Sequence, residues 1–389
     1  MSELLIVLFS FFLPTQFGYH FQNLATSIYG FKIDYFIPTL YLTDILIIGI
    51  ITTQIRTLIN LINKKSLFFI SLYLLLIVVN IYISDYKMIS FYKWIKLTEM
   101  LMMIITLINY KKLNIYKSIF TPLSYSVVLI CFLGLLQTFS GGSIGGLFYY
   151  LGERSFDINT FGISTVNLNG VEILRSYSTF SHPNSLAGFL AVFSIVTLIY
   201  RKRLNRYYLL FLSLLVTTTL ITSASLNVLV SFILLVVVYM IKAGKNLILS
   251  LILLITFLSP YLGATNFREI DYRIELSQVA VNLFFDKPLI GVGINNFIPK
   301  LAESSTIFKN VWELQPVHNI YLLVLSETGI VGFSILIILF YIIPLSYPLL
   351  TILFTGLFDH YWLTLQQNLF LFSLVIAISF AKIKAWTKS

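Results

Sequence analysis

Charge is scarce in this chain, and negative charge scarcest. Asp, Glu, Lys and Arg make up 11% of its 389 residues, with 16 acids against 26 bases. Soluble domains carry about 25% charged residues. A chain that is 58% hydrophobic, with mean hydropathy +0.90, cannot be a soluble globule. Apolar runs of about 15–25 residues recur along it, as in a polytopic membrane protein. Cysteine is almost missing. Cys131 stands alone in an apolar run, which excludes a disulfide framework or a cysteine metal site within one chain. Internal repeats, low-complexity linkers and a second soluble domain are lacking too, so residues 1–389 read as one integral membrane domain.

The apolar runs place about twelve spans, near 3–17, 37–56, 66–84, 95–110, 118–139, 184–200, 207–222, 225–241, 246–263, 319–342, 344–357 and 366–381. The first, LLIVLFSFFLPT, follows Glu3 instead of a basic segment and lacks a small-residue cleavage pattern. It is expected to be a retained helix, not a signal peptide. With the N-terminus inside, the cytoplasmic segments carry fifteen basic residues and one acid, Glu3, whereas the exterior segments carry 11 basic and 12 acidic residues. That asymmetry sets the orientation, with both termini cytoplasmic. The net charge of +10 is thus a topology signal, and no nucleic-acid partner is expected. Membrane lipids are the expected surroundings.

The predicted fold is all-α: a bundle of about 12 transmembrane helices with two larger extracytoplasmic loops, near 140–183 and 264–318, containing short amphipathic helices. The first loop opens on GGSIGG and holds Arg154, Asp157, Glu172 and Arg175. In the second, Ile270, Ile274, Val281 and Phe284 are expected to form an apolar face, with Glu269 and Arg273 toward water. Asp286-Lys287-Pro288 should end that helix, and Gly291 and Gly293 mark a turn. Asp44, Glu99 and Glu327 fall at membrane depth, where ionisable groups are functional suspects. For Asp44 and Glu99, close to a boundary, a satisfied structural role is the expectation.

The most informative stretch is PVHNIYLLVLSETGIVGF, from Pro316 to Phe333. It sets His318 and Asn319 at the mouth of an apolar helix, with Gly329 and Gly332 further along. On a regular helix both glycines would lie within about 40° of the His azimuth, offering another helix a close approach. Glu327 would lie about 180° away and face a different neighbour. An imidazole exchanges protons near neutral pH, so chemistry is sought here first. The plainer reading is a helix-capping His and two packing glycines.

In this stretch the chain resembles the O-antigen ligase and polymerase superfamily, bacterial membrane enzymes that handle glycans on undecaprenyl diphosphate. The family's signature is His, then Asn, Ser or Gln, nine arbitrary residues, Gly, two more, then Gly, Thr or Tyr. His318, Asn319, Gly329 and Gly332 satisfy every fixed position. RSYSTFSHPNSLAGFL, with Arg175 and His182-Pro183-Asn184, looks like a second family segment. YRIELSQVAVNLFFDKPLIGVGINNF, with Arg273, Pro288, Gly291 and Gly293, and LFDHYWLTLQQNLFLF, with Asp359, His360 and Tyr361, look like two more. The resemblance spans roughly residues 140–382.

A glycan on a polyprenyl diphosphate already has a good leaving group, which departs without a proton if its charge is neutralised. Arg suits that task through its planar, permanently charged fork. Arg175 and Arg273 are the candidate diphosphate ligands; alternatively each pairs with a loop acid such as Glu172 or Asp271. Arg268, adjacent to the second, could substitute. His318 is the candidate base for the acceptor hydroxyl, and the resemblance implies the same assignment. His182, followed by Pro183 in a favoured first-turn position, is either structural or site-lining. Asn319 is a further site-lining candidate, and His360 serves either packing or acceptor binding. His20 reads as structural or solvent-exposed. No cofactor is expected. Metal ligation is not expected either, since Glu269 and Asp271 point about 200° apart on a helix and no zinc-type spacing occurs.

These features together suggest a glycosyltransferase on the outer side of the cytoplasmic membrane, with an undecaprenyl-diphosphate-linked glycan as donor and a glycan or lipid as acceptor. Ligase and polymerase stay open. The alternatives are a flippase or permease for lipid-linked oligosaccharide, which would favour polar sites at mid-membrane, and a non-catalytic assembly partner.

Overall fold

A computed structural model describes residues 1–24, 27–168, 170–225, 228, 267–304 and 313–386. Over these the chain is mainly helical. Before the first long gap lie α1 (Ser2–Phe12), α2 (Leu42–Thr53), α3 (Ile55–Ile59), α4 (Lys64–Ile83), α5 (Lys87–Asn109), α6 (Thr121–Ser140), α7 (Pro183–Tyr200) and α8 (Arg206–Thr222). After it come α9 (Phe267–Asp286), α10 (Phe297–Ser304), α11 (Ile320–Ile342), α12 (Tyr347–Thr355), α13 (Tyr361–Thr364) and α14 (Gln366–Trp386). Four stretches are long and apolar enough to cross a membrane: Lys64–Ile83, Ile115–Ser140, Pro183–Arg203 and Ile320–Ile342. Shorter apolar helices are Ser2–Phe12, Leu42–Thr53, Arg206–Thr222 and Gln366–Phe380. The spans expected at 225–241 and 246–263 lie outside the described residues.

Burial concentrates on α7, whose residues from Pro183 to Phe193 are all buried. Small residues make that possible: Ser185, Ala187, Gly188 and Ala191 let α14, α13 and α12 approach closely. A methyl on Gly188 would collide with the Tyr361 ring. Charged groups at membrane depth are paired, as their cost in hydrocarbon demands. Asp44 caps its own helix by accepting from the Tyr41 backbone (2.9 Å), and it bonds Lys96 and Gln366. Glu99 stands 3.8 Å from the same ammonium.

The loops depart from the all-helical expectation. Among the described residues the first long loop holds no α-helix, only a 3-10 turn at Gly146–Leu151. It carries a hairpin, β5 (Thr165–Leu168) against β6 (Val171–Leu174), while β1 (Gly18–His20) pairs with β4 (Thr39–Tyr41) and β2 (Ser27–Ile28) with β3 (Phe31–Lys32). The sequence Asn169-Gly170 is a strong two-residue hairpin signal, and Gly170 takes φ +88°. In the second loop α9 is amphipathic and ends at Asp286 as expected, but its stripe is displaced. Leu276, Val279, Ala280 and Leu283 are buried, whereas Ile274 is 52% exposed and Val281 36%. Both stripes keep helical spacing, so the pattern alone could not say which one meets protein.

The glycines after His318 also act differently from the expectation. Gly329 adopts φ 61°, ψ −165° and breaks α11, so there is no continuous stripe toward Gly332. Its neighbour is a loop, not a helix. Ile330 N–H donates to Pro288 O (2.9 Å) and Val331 N–H to Leu289 O (3.2 Å), while Val292 and Gly293 N–H donate to Ser326 O and Glu327 O (each 3.0 Å). The loop thereby satisfies backbone groups that the break frees. Gly332 packs on Thr328 of its own chain. The Glu327 Oε1 accepts the Phe297 N–H that opens α10 (3.2 Å). Asn80 of α4 clamps the junction, donating to Glu327 O (3.1 Å) and accepting from Ile294 N (2.9 Å) and Trp94 Nε1 (3.0 Å).

Gly329→Ala places a Cβ at a backbone conformation reserved for glycine and into the Leu289–Ile290 peptide. It should cost about 3 kcal/mol or more. Gly332→Ala sets its Cβ against both Oγ1 and Cβ of Thr328, which must shift, but it carries no left-handed backbone strain and should cost less. Thermal unfolding in detergent compares the two, and equal losses would contradict a helix break held by the loop.

Candidate functional site

Asn319 is the N-cap of the broken helix. Its Oδ1 accepts from the Tyr321 and Leu322 N–H groups (2.9 and 3.0 Å), satisfying donors that a helix start leaves open. Its Nδ2 donates to Leu357 O (3.2 Å), and Ile320 N–H donates to Gly356 O (2.8 Å). These bonds clip His318 to the turn between α12 and α13. Asn319 therefore holds the site's backbone, and its side chain is occupied in doing so.

That turn delivers Asp359, the centre of the cluster. Its Oδ1 accepts the His360 N–H (2.8 Å) and lies 3.5 Å from His318 Nδ1. Its Oδ2 accepts from Asn184 Nδ2 (3.1 Å), and Asn184 Oδ1 accepts from Arg175 Nη2 (2.6 Å). Arg175 Nε donates to Ser223 O at the end of α8 (2.7 Å). The β5–β6 hairpin carries this arginine to the cluster, and its N–H reaches Ser164 O (3.3 Å). From the other side, Arg273 of α9 donates through Nη1 to Phe358 O (2.8 Å). Arg175, Arg273 and His318, far apart in sequence, thus meet around one carboxylate. The Arg268 side chain lies outside the described residues.

The remaining imidazoles frame the group. His182 is the N-cap of α7, its Nδ1 accepting from Asn184 N (3.2 Å) while Nε2 approaches Ser164 Oγ (3.3 Å). His360 lies tilted at 5.1 Å from the His318 ring, and its Nδ1 bonds Thr364 Oγ1 (2.8 Å). Tyr35 packs edge-on against His360 at 5.7 Å. At the rim, Arg154 donates to Ser181 O (3.1 Å) and pairs with Asp34 (3.5 Å). His20 lies outside this group, bonded through Nδ1 to Thr39 Oγ1 (2.8 Å).

Burial and charge divide the titratable groups. Burial would raise the Asp359 carboxyl, but the His318 and His360 imidazoles and the Arg273 charge outweigh it and hold it well below the usual range. Burial first, then the charge of Arg175, drives His182 down to about 3. Burial likewise takes His360 to about 3 against the pull of Asp359. Both imidazoles are therefore neutral at pH 7, and the lasting positive charge comes from guanidinium. Burial and Asp359 also push the Tyr35 phenol up, keeping it a neutral hydroxyl.

Donor atoms of His318, Asp359 and His360 lie within 4.8 Å of one another, a set whose types suit a divalent ion. Linear spacing gave no such cluster, because the fold assembles it from two separate loops. Other bonds compete for these atoms: Asp359 accepts from Asn184 and the His360 N–H, and one His360 nitrogen is engaged by Thr364. The carboxylate is already served by hydrogen-bond donors and cations. The other acidic candidate, Glu269, has its side chain outside the described residues, and Asp271 is exposed.

Asp359 and Asn184 were named from the sequence only within family-like segments and given no role, and Tyr35 was not singled out. Asp359 sits beside a His in a short loop, and Asn184 follows Pro183 at a helix start. Neither pattern separates a site residue from a cap. Residues 181–337 match the family model described as O-antigen ligase. The match contains His182, Arg273, His318 and both signature glycines, while Arg175 lies just upstream and Asp359 and His360 downstream. None of the curated proteins matches the chain.

Because the folded pKa of His182 lies below its unfolded value, the fold binds fewer protons than the unfolded chain between about pH 6.5 and 3. Its contribution is complete above that window and is lost as pH falls through it. One proton gives at most about 1.4 kcal/mol per pH unit, and the partial exposure of His182 makes the real slope shallower. His182→Asn keeps a capping acceptor but cannot titrate. Its melting temperature in detergent should fall less steeply than that of the parent between pH 6.5 and 5; parallel curves would overturn this account.

Proposed function

We propose that the chain, whose residues 181–337 match the O-antigen ligase family, is a membrane glycosyltransferase of the O-antigen ligase and polymerase type that draws its saccharide from undecaprenyl diphosphate at the outer side of the cytoplasmic membrane. The observation that carries this reading is the Arg175–Asn184–Asp359–His318 chain, with Arg273 entering from the opposite side. It puts guanidinium charge for a diphosphate beside an imidazole for a hydroxyl.

Each group has a role in the transfer. Arg175 and Arg273 bind the diphosphate oxygens and meet the charge that builds as the glycosidic C–O bond breaks. The acceptor hydroxyl attacks the anomeric carbon and passes its proton to His318 Nε2. The new C–O bond forms as undecaprenyl diphosphate leaves with the electron pair of the old one. Asp359, facing Nδ1, favours the tautomer with its proton there, frees Nε2 to accept, and then stabilises the imidazolium. It acts through His318 and is a positioning residue. Attack opposite the leaving group would invert the anomeric centre. His182 and His360, held neutral, line the group without adding charge. Sidedness rests on the basic residues at the opposite ends of the helices.

Purified protein in proteoliposomes, supplied with lipid-linked donor and acceptor, tests the assignment. His318→Ala should lose about 100-fold or more in turnover, within the range of a removed general base. Arg175→Ala and Arg273→Ala should each lose about 10- to 1,000-fold. Turnover retained by a folded His318→Ala would sink the base assignment, and donor translocation without transfer would favour a permease. Loss of the gene separates the two transferases: single repeats on the carrier mark a polymerase, long stranded chains a ligase. For sidedness, alkaline phosphatase fused after Asn159 should be active and after Lys112 inactive; the reverse would invert the topology.

A further inference from the structure

A second concentration of charge lies at the other end of α7, and the transfer reaction makes no use of it. Eighteen residues separate His182 from that end, about 27 Å along the axis. There an open cleft of about 420 Å³ has Lys111, Lys112, Asn114, Tyr116, Tyr200 and Arg203 among its walls. Its charged lining is wholly basic. The lysines come from the turn after α5, Tyr116 from the π-helical turn Ile115–Phe120 that leads into α6, and Tyr200 and Arg203 from the end of α7.

The arginine is fixed in place. Its guanidinium carbon lies 5.4 Å from the Tyr116 ring centre and 6.0 Å from that of Tyr200, and the two rings are 5.6 Å apart. The Tyr116 hydroxyl donates to Arg203 O (2.9 Å). Two aromatic faces and one backbone bond thus hold a cation before any ligand arrives. Among the described residues, no ion pair involves Lys111, Lys112 or Arg203. The acid that charge asymmetry puts at this end, Glu3, accepts from Ser118 Oγ (2.8 Å) and does not line the cleft. Three like charges so gathered repel one another unless an anion joins them.

We propose that this cleft binds the phosphate of an anionic phospholipid headgroup in the cytoplasmic leaflet. The chemistry is that of a phosphate ester met by a planar guanidinium and two mobile ammonium groups. A soluble phosphate would offer the same group. The setting favours the lipid, because basic pockets between spanning helices on this side hold headgroups and tyrosines sit at the membrane interface. A bound headgroup would tie the α5–α6 turn to the end of α7, which carries His182 at its other end.

The test uses the full chain in nanodiscs of phosphatidylglycerol and phosphatidylcholine, with the lipid retained on release read by native mass spectrometry. The parent should retain phosphatidylglycerol about tenfold over its share of the bilayer, and K111Q/K112Q should bring retention close to that share. R203Q should do the same. If its melting temperature shows misfolding, the lysine pair alone decides, since those side chains are exposed. Equal retention by parent and lysine variant overturns the site. In a second arm, inorganic phosphate and glycerol phosphate are added to phosphatidylcholine-only discs. Stabilisation there, lost in K111Q/K112Q and matching that given by phosphatidylglycerol, overturns the lipid assignment in favour of a soluble anion. No stabilisation at millimolar concentration supports the lipid.

Discussion

A single carboxylate, Asp359, holds the candidate site together. It is buried, yet it stays ionised because Asn184 at the head of α7 and the His360 backbone donate to it, and the His318 ring stands 3.5 Å away at the mouth of α11. A buried charge is tolerated only when it is paired and hydrogen-bonded. Arg175 is tied to it through Asn184, and Arg273 through the carbonyl beside it. Convergence of two guanidiniums and an imidazole is then a solvation requirement of one anion, whatever chemistry the cluster serves. Without that anion the two guanidiniums would have little reason to stay close.

The second constraint is the break in α11. A straight helix would leave the Pro288–Gly293 loop with unmet backbone groups at membrane depth. The break at Gly329 lets loop and helix satisfy each other, and Asn80 closes the remaining valences. Such exchange permits irregular backbone in hydrocarbon wherever it is enclosed by protein. Asn80 also gives α4 a polar anchor near its C-terminal end, a helix that is otherwise almost wholly unburied.

Much of this was legible in the sequence, and what was not has identifiable causes. Apolar runs gave the helices, because segments of that length and composition have few alternatives. Arg175, Arg273 and His318 were legible because their chemistry suits a diphosphate and a hydroxyl, and because the signature residues fix their order. Asp359 was named within a family-like segment, but its role was not legible, since a lone Asp in a loop carries no spacing to read. Gly329 was placed correctly but misunderstood: the periodicity argument assumed a continuous helix, and positive φ leaves no trace in periodicity. The buried stripe of α9 was misplaced because two apolar stripes compete on that helix. The β5–β6 hairpin was written plainly in Asn169-Gly170, and the glycine-rich opening of the loop drew attention away from it.

The broken helix has a consequence for how such a molecule can diversify. Residues 320–328 form a short, separately aimed segment bearing His318 at its tip. Its direction is set by the backbone pairing of the Pro288–Gly293 loop and by the Asn319 clip. A change of one residue in either connection would swing the imidazole while leaving the lipid-facing bundle untouched. The aim of the imidazole is thereby decoupled from membrane packing, so the candidate site could be reshaped without rebuilding the scaffold.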